Sequence, residues 1–263
     1  MTAGHGAHWV RFIDQGEIRF GTLEREPNRD CVRVCEGDLF AGALPTERVV
    51  ALSEVQLLTP VEPGKVIALW NNFHALGARL GLSDPAEPLY LIKAPNTRLA
   101  PGGVIRQPRC AGKVVFEGEL AIVIGKTASA VSESRAPGHV LGYTCANDVT
   151  LADILHRDPS FPQWARAKGF DSFCPFGPAV ATGLDPATLV VRTLLNGEVR
   201  QDYPVSDMRF SVAQLVSLIS HDMTLEPGDL ILCGTSVGAG SIKPGSTIEV
   251  EIAGVGRLTN RFE

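Results

Sequence analysis

The sequence predicts an α+β fold dominated by β-strands, and three features of the chain predict it. Short apolar segments bounded by Gly and Pro turns recur along most of its length, with 27 Gly and 18 Pro among 263 residues. The turn signals Asp14-Gln15-Gly16 and Asn196-Gly197 each join two alternating stretches, the pattern of a hairpin. Only residues 211–220 carry a clean helical period, with apolar side chains at 212, 215, 216 and 219. Strands therefore do not alternate with helices, and a βαβ architecture is excluded.

Taken in order, residues 1–60 read as a small β-rich N-terminal unit, and 61–263 as the larger domain. Residues 9–13 and 17–23 alternate apolar and polar about the first turn, and 32–36 and 49–55 are further short strands. After the Pro63-Gly64 turn, 65–70 is a continuous apolar run, as a buried strand requires, and it delivers Asn71, Asn72, Phe73 and His74 at its end. Residues 75–81 suit a short helix and 89–93 a strand. A Pro/Gly turn through 101–103 leads to a strand over 114–124. A loop with a short helix near 128–138 and a strand over 140–146 follow. Residues 149–170, broken by Pro159 and Pro162, read as an irregular excursion of helix and loop. Strands resume at 178–183, 188–195 and 198–203. After the helix over 211–220, strands at 230–233 and 247–252 close the chain.

Composition narrows the function. A hydrophobic share of 44% and a charged share of 20% are those of a globular protein. The net charge of −5 argues against nucleic acid or an anionic membrane as partner. No apolar run approaches the roughly 20 residues that span a bilayer, and residues 1–12 lack the basic and apolar regions of a secretory signal. The six cysteines are scattered, with no second pair to complete a zinc site with Cys31 and Cys35. They read as reduced thiols of a cytoplasmic protein, and none is assigned a catalytic role.

The chemistry concentrates in Phe116-Glu117-Gly118-Glu119-Leu120. On one strand, residues i and i+2 face the same way, so Glu117 and Glu119 would aim two carboxylates at one point beside an apolar run. Their repulsion and desolvation are both relieved by a divalent cation, and hard oxygen ligands suit Mg²⁺, Mn²⁺ or Ca²⁺. Asp148 closes the next apolar segment and offers a third oxygen. The same pattern also describes a solvated strand face, and a strand-end Asp also describes a turn or cap residue.

The order of five motifs resembles the fumarylacetoacetate hydrolase family. They are residues 66–75, 116–120, 142–148, 168–178 (Lys168-Gly169-Phe170-Asp171 onward), and 224–235, which runs from Thr224-Leu225-Glu226-Pro227-Gly228-Asp229 to Gly234-Thr235. Residues 94–97 and 250–261 look like the isomerase/decarboxylase branch of homoprotocatechuate breakdown, and 1–60 like a small N-terminal extension that some members carry. The resemblance implies a mixed β-roll, a homodimer, and a metal held by Glu117, Glu119 and Asp148. It also implies a small-molecule 2-oxo acid substrate, with Lys168 in contact with it and Thr235 holding its carboxylate. Lys93 is a further candidate for the same anionic pocket. His74 matches a histidine that, in hydrolytic members, pairs with a glutamate three positions on to activate water.

Here that position is Gly77. Without a carboxylate, His74 is expected to have no fixed tautomer, although it can still shuttle a proton. After Asp148 the chain reads Leu151-Ala152-Asp153-Ile154-Leu155, where relatives carry an arginine and a glutamine at the positions of Ala152 and Leu155. A cation that polarises a 2-oxo oxygen stabilises the enolate shared by C–C hydrolysis, decarboxylation and double-bond movement. Hydrolysis alone needs the activated water. The sequence therefore favours decarboxylation or isomerisation of a 2-oxo or 2-hydroxy-dienoic dicarboxylic acid in aromatic-compound catabolism. An acylpyruvate-type hydrolase with its acid elsewhere, for example Glu87, and a non-catalytic metal-binding relict are the alternatives.

Overall fold

A computed structural model describes residues 6–26, 29–110 and 112–263. Residues 1–5, the start of the expected N-terminal unit and of the segment read for a leader, lie outside the described residues. Among the described residues three sheets form. The largest runs, neighbour by neighbour, Leu44–Ala51, Arg29–Glu36, Glu17–Glu26, His8–Asp14, Cys174–Ala181, Val140–Asn147, Gly118–Ile124, Leu230–Leu232, Val66–Trp70 and Leu89–Lys93. Along this path the pairs are antiparallel except Leu230–Leu232 with Val66–Trp70, and off the path Arg98–Leu99 pairs parallel with Cys174–Ala181. The N-terminal strands thus extend the central sheet through the pairing of His8 and Trp9 with Ala181 and Val180.

The sheet rolls back on itself. Leu89–Lys93 lies at one end of the path, yet the chain then reaches Arg98–Leu99, which pairs with Cys174 and Pro175 five strands away. Alternation along Gly118–Ile124 sets the two faces. Leu120, Ile122 and Ile124 pack outward onto the helix Val212–Asp222 through Leu215, Val216 and Ile219. Ala121 and Val123 face inward with Ala68, Ala146, Phe176 and Leu232. Glu119 has the parity of Ala121, so it points into the roll. The small inward side chains leave room for a polar site within an otherwise apolar interior.

A five-stranded sheet, Glu198–Pro204, Val190–Leu195, Thr247–Ile252, Gly256–Phe262 and Val104–Ile105, covers the acidic segment. A small third sheet joins Val114–Phe116 to Thr150–Leu151 and Gly240–Ser241. Both predicted hairpin turns are present, with positive φ at Gln15 and Gly16 and at Asn196 and Gly197. The predicted helix over 211–220 spans Val212–Asp222 and starts from a Ser211–Gln214 capping box.

Several expectations need correction. The strand expected over 114–124 is two strands, Val114–Phe116 and Gly118–Ile124, which belong to different sheets. Glu117 lies at the break because its N–H turns to Asn147 Oδ1 and its carbonyl accepts from Asp148 N. The segment 128–138 holds only a 3₁₀ turn at its end, Ala136–His139. The strand expected at 49–55 is Leu44–Ala51. The chain closes on Gly256–Phe262, whose polar Thr259, Asn260 and Arg261 mask its alternation. Among the described residues no helix is long and apolar enough to cross a membrane.

Candidate active site

Glu117, Glu119 and Asp148 converge, each offering an oxygen within 4.8 Å of the others. Glu117 reaches the cluster from the break between sheets, not from a strand face, so the outcome expected of the i, i+2 rule arises from a different geometry. Asp148 follows Val140–Asn147, and Gly118↔Asn147 pairing sets the two acidic segments side by side.

Gly118 carries both segments. Its N–H donates to Gln201 Oε1 at 3.0 Å, and its carbonyl accepts from Tyr203 Oη at 2.6 Å and Thr235 Oγ1 at 2.9 Å. A Cβ at Gly118 would collide with Thr193 Oγ1 on the covering sheet, so the residue between the carboxylates has no room for a side chain. Gln201 Nε2 also donates to Thr235 Oγ1 and to the Ser236 carbonyl, which ties the Gly234-Thr235 loop to the acidic segment. The Gly234 N–H donates to Glu119 Oε2 at 2.8 Å.

Two buried lysines face the carboxylates. Lys168 Nζ donates to Glu117 Oε2 at 2.7 Å, Asp148 Oδ2 at 2.6 Å and Thr150 Oγ1 at 2.7 Å, which uses all three of its protons. Lys93 Nζ pairs with Asp148 Oδ1. Lys168 ends a short helix, Trp164–Lys168, anchored by Trp164 against Trp70 at a centroid distance of 4.9 Å. Lys93 points inward because it shares a strand face with Leu91 and alternates with the exposed Ile92.

Three carboxylates against two ammonium groups leave one uncompensated negative charge in a buried place. Burial pushes the Glu119 carboxyl well above its ordinary range, and the charges of Asp148 and Glu117 push it further. Glu117 is also raised, by burial first, although Lys168 opposes the shift. Burial pushes Asp148 upward too, but Lys168 and Lys93 outweigh it and hold that carboxyl below its usual value. For Lys168, burial favours the neutral amine, yet Asp148, Glu117 and Glu119 overcome it and keep the ammonium form. This cluster lacks one unit or more of positive charge, and its donors are hard oxygens. A divalent cation fits it.

His74 opens the helix His74–Leu80 and is half exposed. Its Nδ1 lies 3.4 Å from Arg209 Nη1 and 3.8 Å from Asp84 Oδ2, and Asp84 and Arg209 form an ion pair. Arginine can only donate, so this contact favours Nδ1 as the acceptor with the ring proton on Nε2. An arginine, and no glutamate at position 77, is thus the group set against Nδ1. Gly77 is vacant of side chain for a reason: a Cβ there would overlap Arg209 Nη2 and come within 2.8 Å of Asn71 Oδ1.

Sequence reasoning missed Thr150, Gln201, Tyr203, Asp84 and Arg209. Gln201 and Tyr203 had a signal, since they alternate with the exposed Arg200 and Asp202 on a strand and are themselves buried. A glycine inside a helix was a signal of close approach at Gly77. Nothing local could place Arg209 there. The cysteines are free, and burial pushes the Cys145 and Cys174 thiols up to about 12, which suits neither to act as a thiolate.

Comparison with known proteins bears on this site. Residues 65–263 match the family model described as fumarylacetoacetate (FAA) hydrolase C-terminal, and 7–60 match that described as Rv2993c-like, N-terminal. The crystal structure of 2-hydroxyhepta-2,4-diene-1,7-dioate isomerase from Mycobacterium marinum is similar at a TM-score of 0.89 and 39% identity, over 97% of this chain and 98% of that one. Oxaloacetate tautomerase YisK of Bacillus subtilis is 35% identical over 278 residues, 95% of this chain and 91% of the relative. Fumarylpyruvate hydrolase from Pseudomonas aeruginosa, solved in complex with Mn²⁺ and pyruvate, is 29% identical at a TM-score of 0.71, over 79% of this chain and 91% of that one.

Proposed function

The chain belongs to the fumarylacetoacetate hydrolase family, and from that premise we propose that it is a divalent-metal-dependent isomerase/decarboxylase of 2-oxo or 2-hydroxy-dienoic dicarboxylic acids. Glu117, Glu119 and Asp148 would hold the ion, Mg²⁺ or Mn²⁺, and the Mn²⁺ complex of the hydrolase relative supports that choice. When bound, the ion supplies Lewis-acid polarisation of a substrate oxygen.

The observation that carries the reading is the hydrogen bond from Arg209 to His74. A carboxylate partner would accept a hydrogen bond from Nδ1–H and leave Nε2 as the base that activates water. Arginine does the reverse and makes Nε2–H a donor. A neutral Nε2–H can donate a hydrogen bond to a developing enolate oxygen, as isomerisation and decarboxylation both use, but it cannot deprotonate water. Lys168 and Lys93 keep the carboxylates in place and offset their charge. For Lys168 to touch substrate, one of its three present hydrogen bonds must be given up. Thr235 faces the same exchange, since its proton is held by the Gly118 carbonyl.

Asp84 favours a second reading. Its Oδ2 lies 3.8 Å from His74 Nδ1, so a small movement would supply the acid of an acylpyruvate hydrolase. Glu87, the acid suggested by the sequence, makes no contact with His74 among those described. Product analysis with saturating Mg²⁺ separates the two. The first reading expects faster enol–keto interconversion or CO₂ release from oxaloacetate, with acetylpyruvate left intact. Efficient formation of acetate and pyruvate from acetylpyruvate would overturn it in favour of hydrolysis.

A further inference from the structure

We propose that Arg209 is the specificity residue that binds the distal carboxylate of a dicarboxylic substrate, and that Asp84 occupies it as an internal stand-in until substrate arrives. The inference rests on the 2-oxo acid reading and adds the group that would recognise the far end of the molecule. The Arg209 side chain is only 5% exposed, whereas that of Asp84 is 67% exposed. A buried guanidinium is therefore held by a carboxylate that can swing freely into water.

The pocket around the guanidinium is built for it. Gly77 lies within the helix His74–Leu80, where glycine weakens the helix relative to alanine, and its missing side chain is what admits Arg209 Nη2. Arg209 N donates to the Asn72 carbonyl and Phe210 N to Asn72 Oδ1. Asn72 Nδ2 in turn donates to the Cys233 carbonyl, next to the Gly234 N–H that meets Glu119. The arginine is thereby fixed to the same loops that carry the metal-facing groups. Two buried polar atoms at this point have no hydrogen-bond partner, Arg209 Nε and Asn71 Oδ1. Displacing Asp84 from Nη1 frees a charge-assisted donor on a buried guanidinium for an incoming carboxylate. A buried arginine whose only acid partner among the described residues is an exposed aspartate suits an incoming anion better than a permanent salt bridge.

Calorimetric titration of the full-length, Mn²⁺-loaded protein with 2-oxoglutarate and 2-oxoadipate, each against the 2-oxo monoacid of the same length, tests this. Wild type should prefer a diacid by about tenfold or more, the worth of a charge-assisted hydrogen bond. Arg209→Met should collapse that ratio towards one, and Arg209→Lys should retain part of it. Asp84→Asn, at an exposed position that folding tolerates, should tighten diacid binding by removing the competitor. Equal affinity for both acid types in wild type, or a ratio unmoved by Arg209→Met, overturns the proposal alone. Binding of neither acid type refutes the 2-oxo acid reading and this proposal with it. Weaker diacid binding by Asp84→Asn would mean that Asp84 assists the substrate, and it also overturns the proposal.

Discussion

Glu119 is the residue on which the proposed metal site turns. It is 1% exposed, its only hydrogen bond described comes from Gly234 N, and no lysine touches it. Burial raises its carboxyl in the folded protein above its unfolded value, so the folded metal-free form binds a proton more tightly than the unfolded chain. Its ionisation therefore costs stability as pH rises from the unfolded towards the folded pKa, and a cation must displace that proton. The thermal stabilisation given by Mn²⁺ should accordingly grow as the pH rises above the ordinary glutamate range. Glu119→Gln should abolish it at every pH; a shift that survives in the variant would remove Glu119 from the site. Lys168 makes the opposite case. Replacing it by Met leaves Asp148 and Glu117 buried with less positive charge, which should cost on the order of 3 kcal/mol in the metal-free protein. Added Mn²⁺ should restore part of that loss in chemical denaturation, and an unchanged midpoint without metal would show the ion pairs to be dispensable. The carboxylate triad and both lysines were legible as residue types. The partners that define the state of His74 were not, because Asp84 and Arg209 are separated from it by 10 and 135 residues.

At the scale of elements, alternation and turns were the readable part. The hairpins at Gln15-Gly16 and Asn196-Gly197 and the capped helix Val212–Asp222 each rest on local chemistry, and each is found where that chemistry puts it. Strand ends set by tertiary bonds were less readable. The break at Glu117 exists because Asn147 and Asp148 take its backbone groups, and Gly256–Phe262 is recruited as a strand by Thr247–Ile252 despite its polar sequence. Gly118 shows how an element constrains the site. Its carbonyl and N–H are used by Tyr203, Thr235 and Gln201, and the covering strand leaves no space for a Cβ. Gly118→Ala should destabilise the fold by about 1–3 kcal/mol and weaken Mn²⁺ binding, since either flanking carboxylate must move. Wild-type affinity in this variant, measured by calorimetry, would mean that the acidic segment can shift without opening the triad.

Across the whole molecule, one sheet rolled around small inward side chains brings together groups that lie far apart in sequence. Lys93, Glu119, Asp148 and Lys168 come from three strands or strand ends and one short helix, and they meet because Leu89–Lys93 leads back to Cys174–Ala181. That closure could not be read from periodicity, which gives the faces of strands but not their order. The family resemblance supplied the roll in its place, and the fold agrees with it. The central claim is that this roll assembles a cation site whose adjoining histidine donates a hydrogen bond to an enolate oxygen and is not the base that activates water. Its most direct test is deuterium incorporation at C3 of a 2-oxo diacid, followed by proton NMR in D₂O with Mg²⁺. Wild type should exchange the C3 protons faster than Mg²⁺ alone, and His74→Ala should lose much of that acceleration. Exchange no faster than with free Mg²⁺, together with cleavage of acetylpyruvate to acetate and pyruvate, would contradict the account.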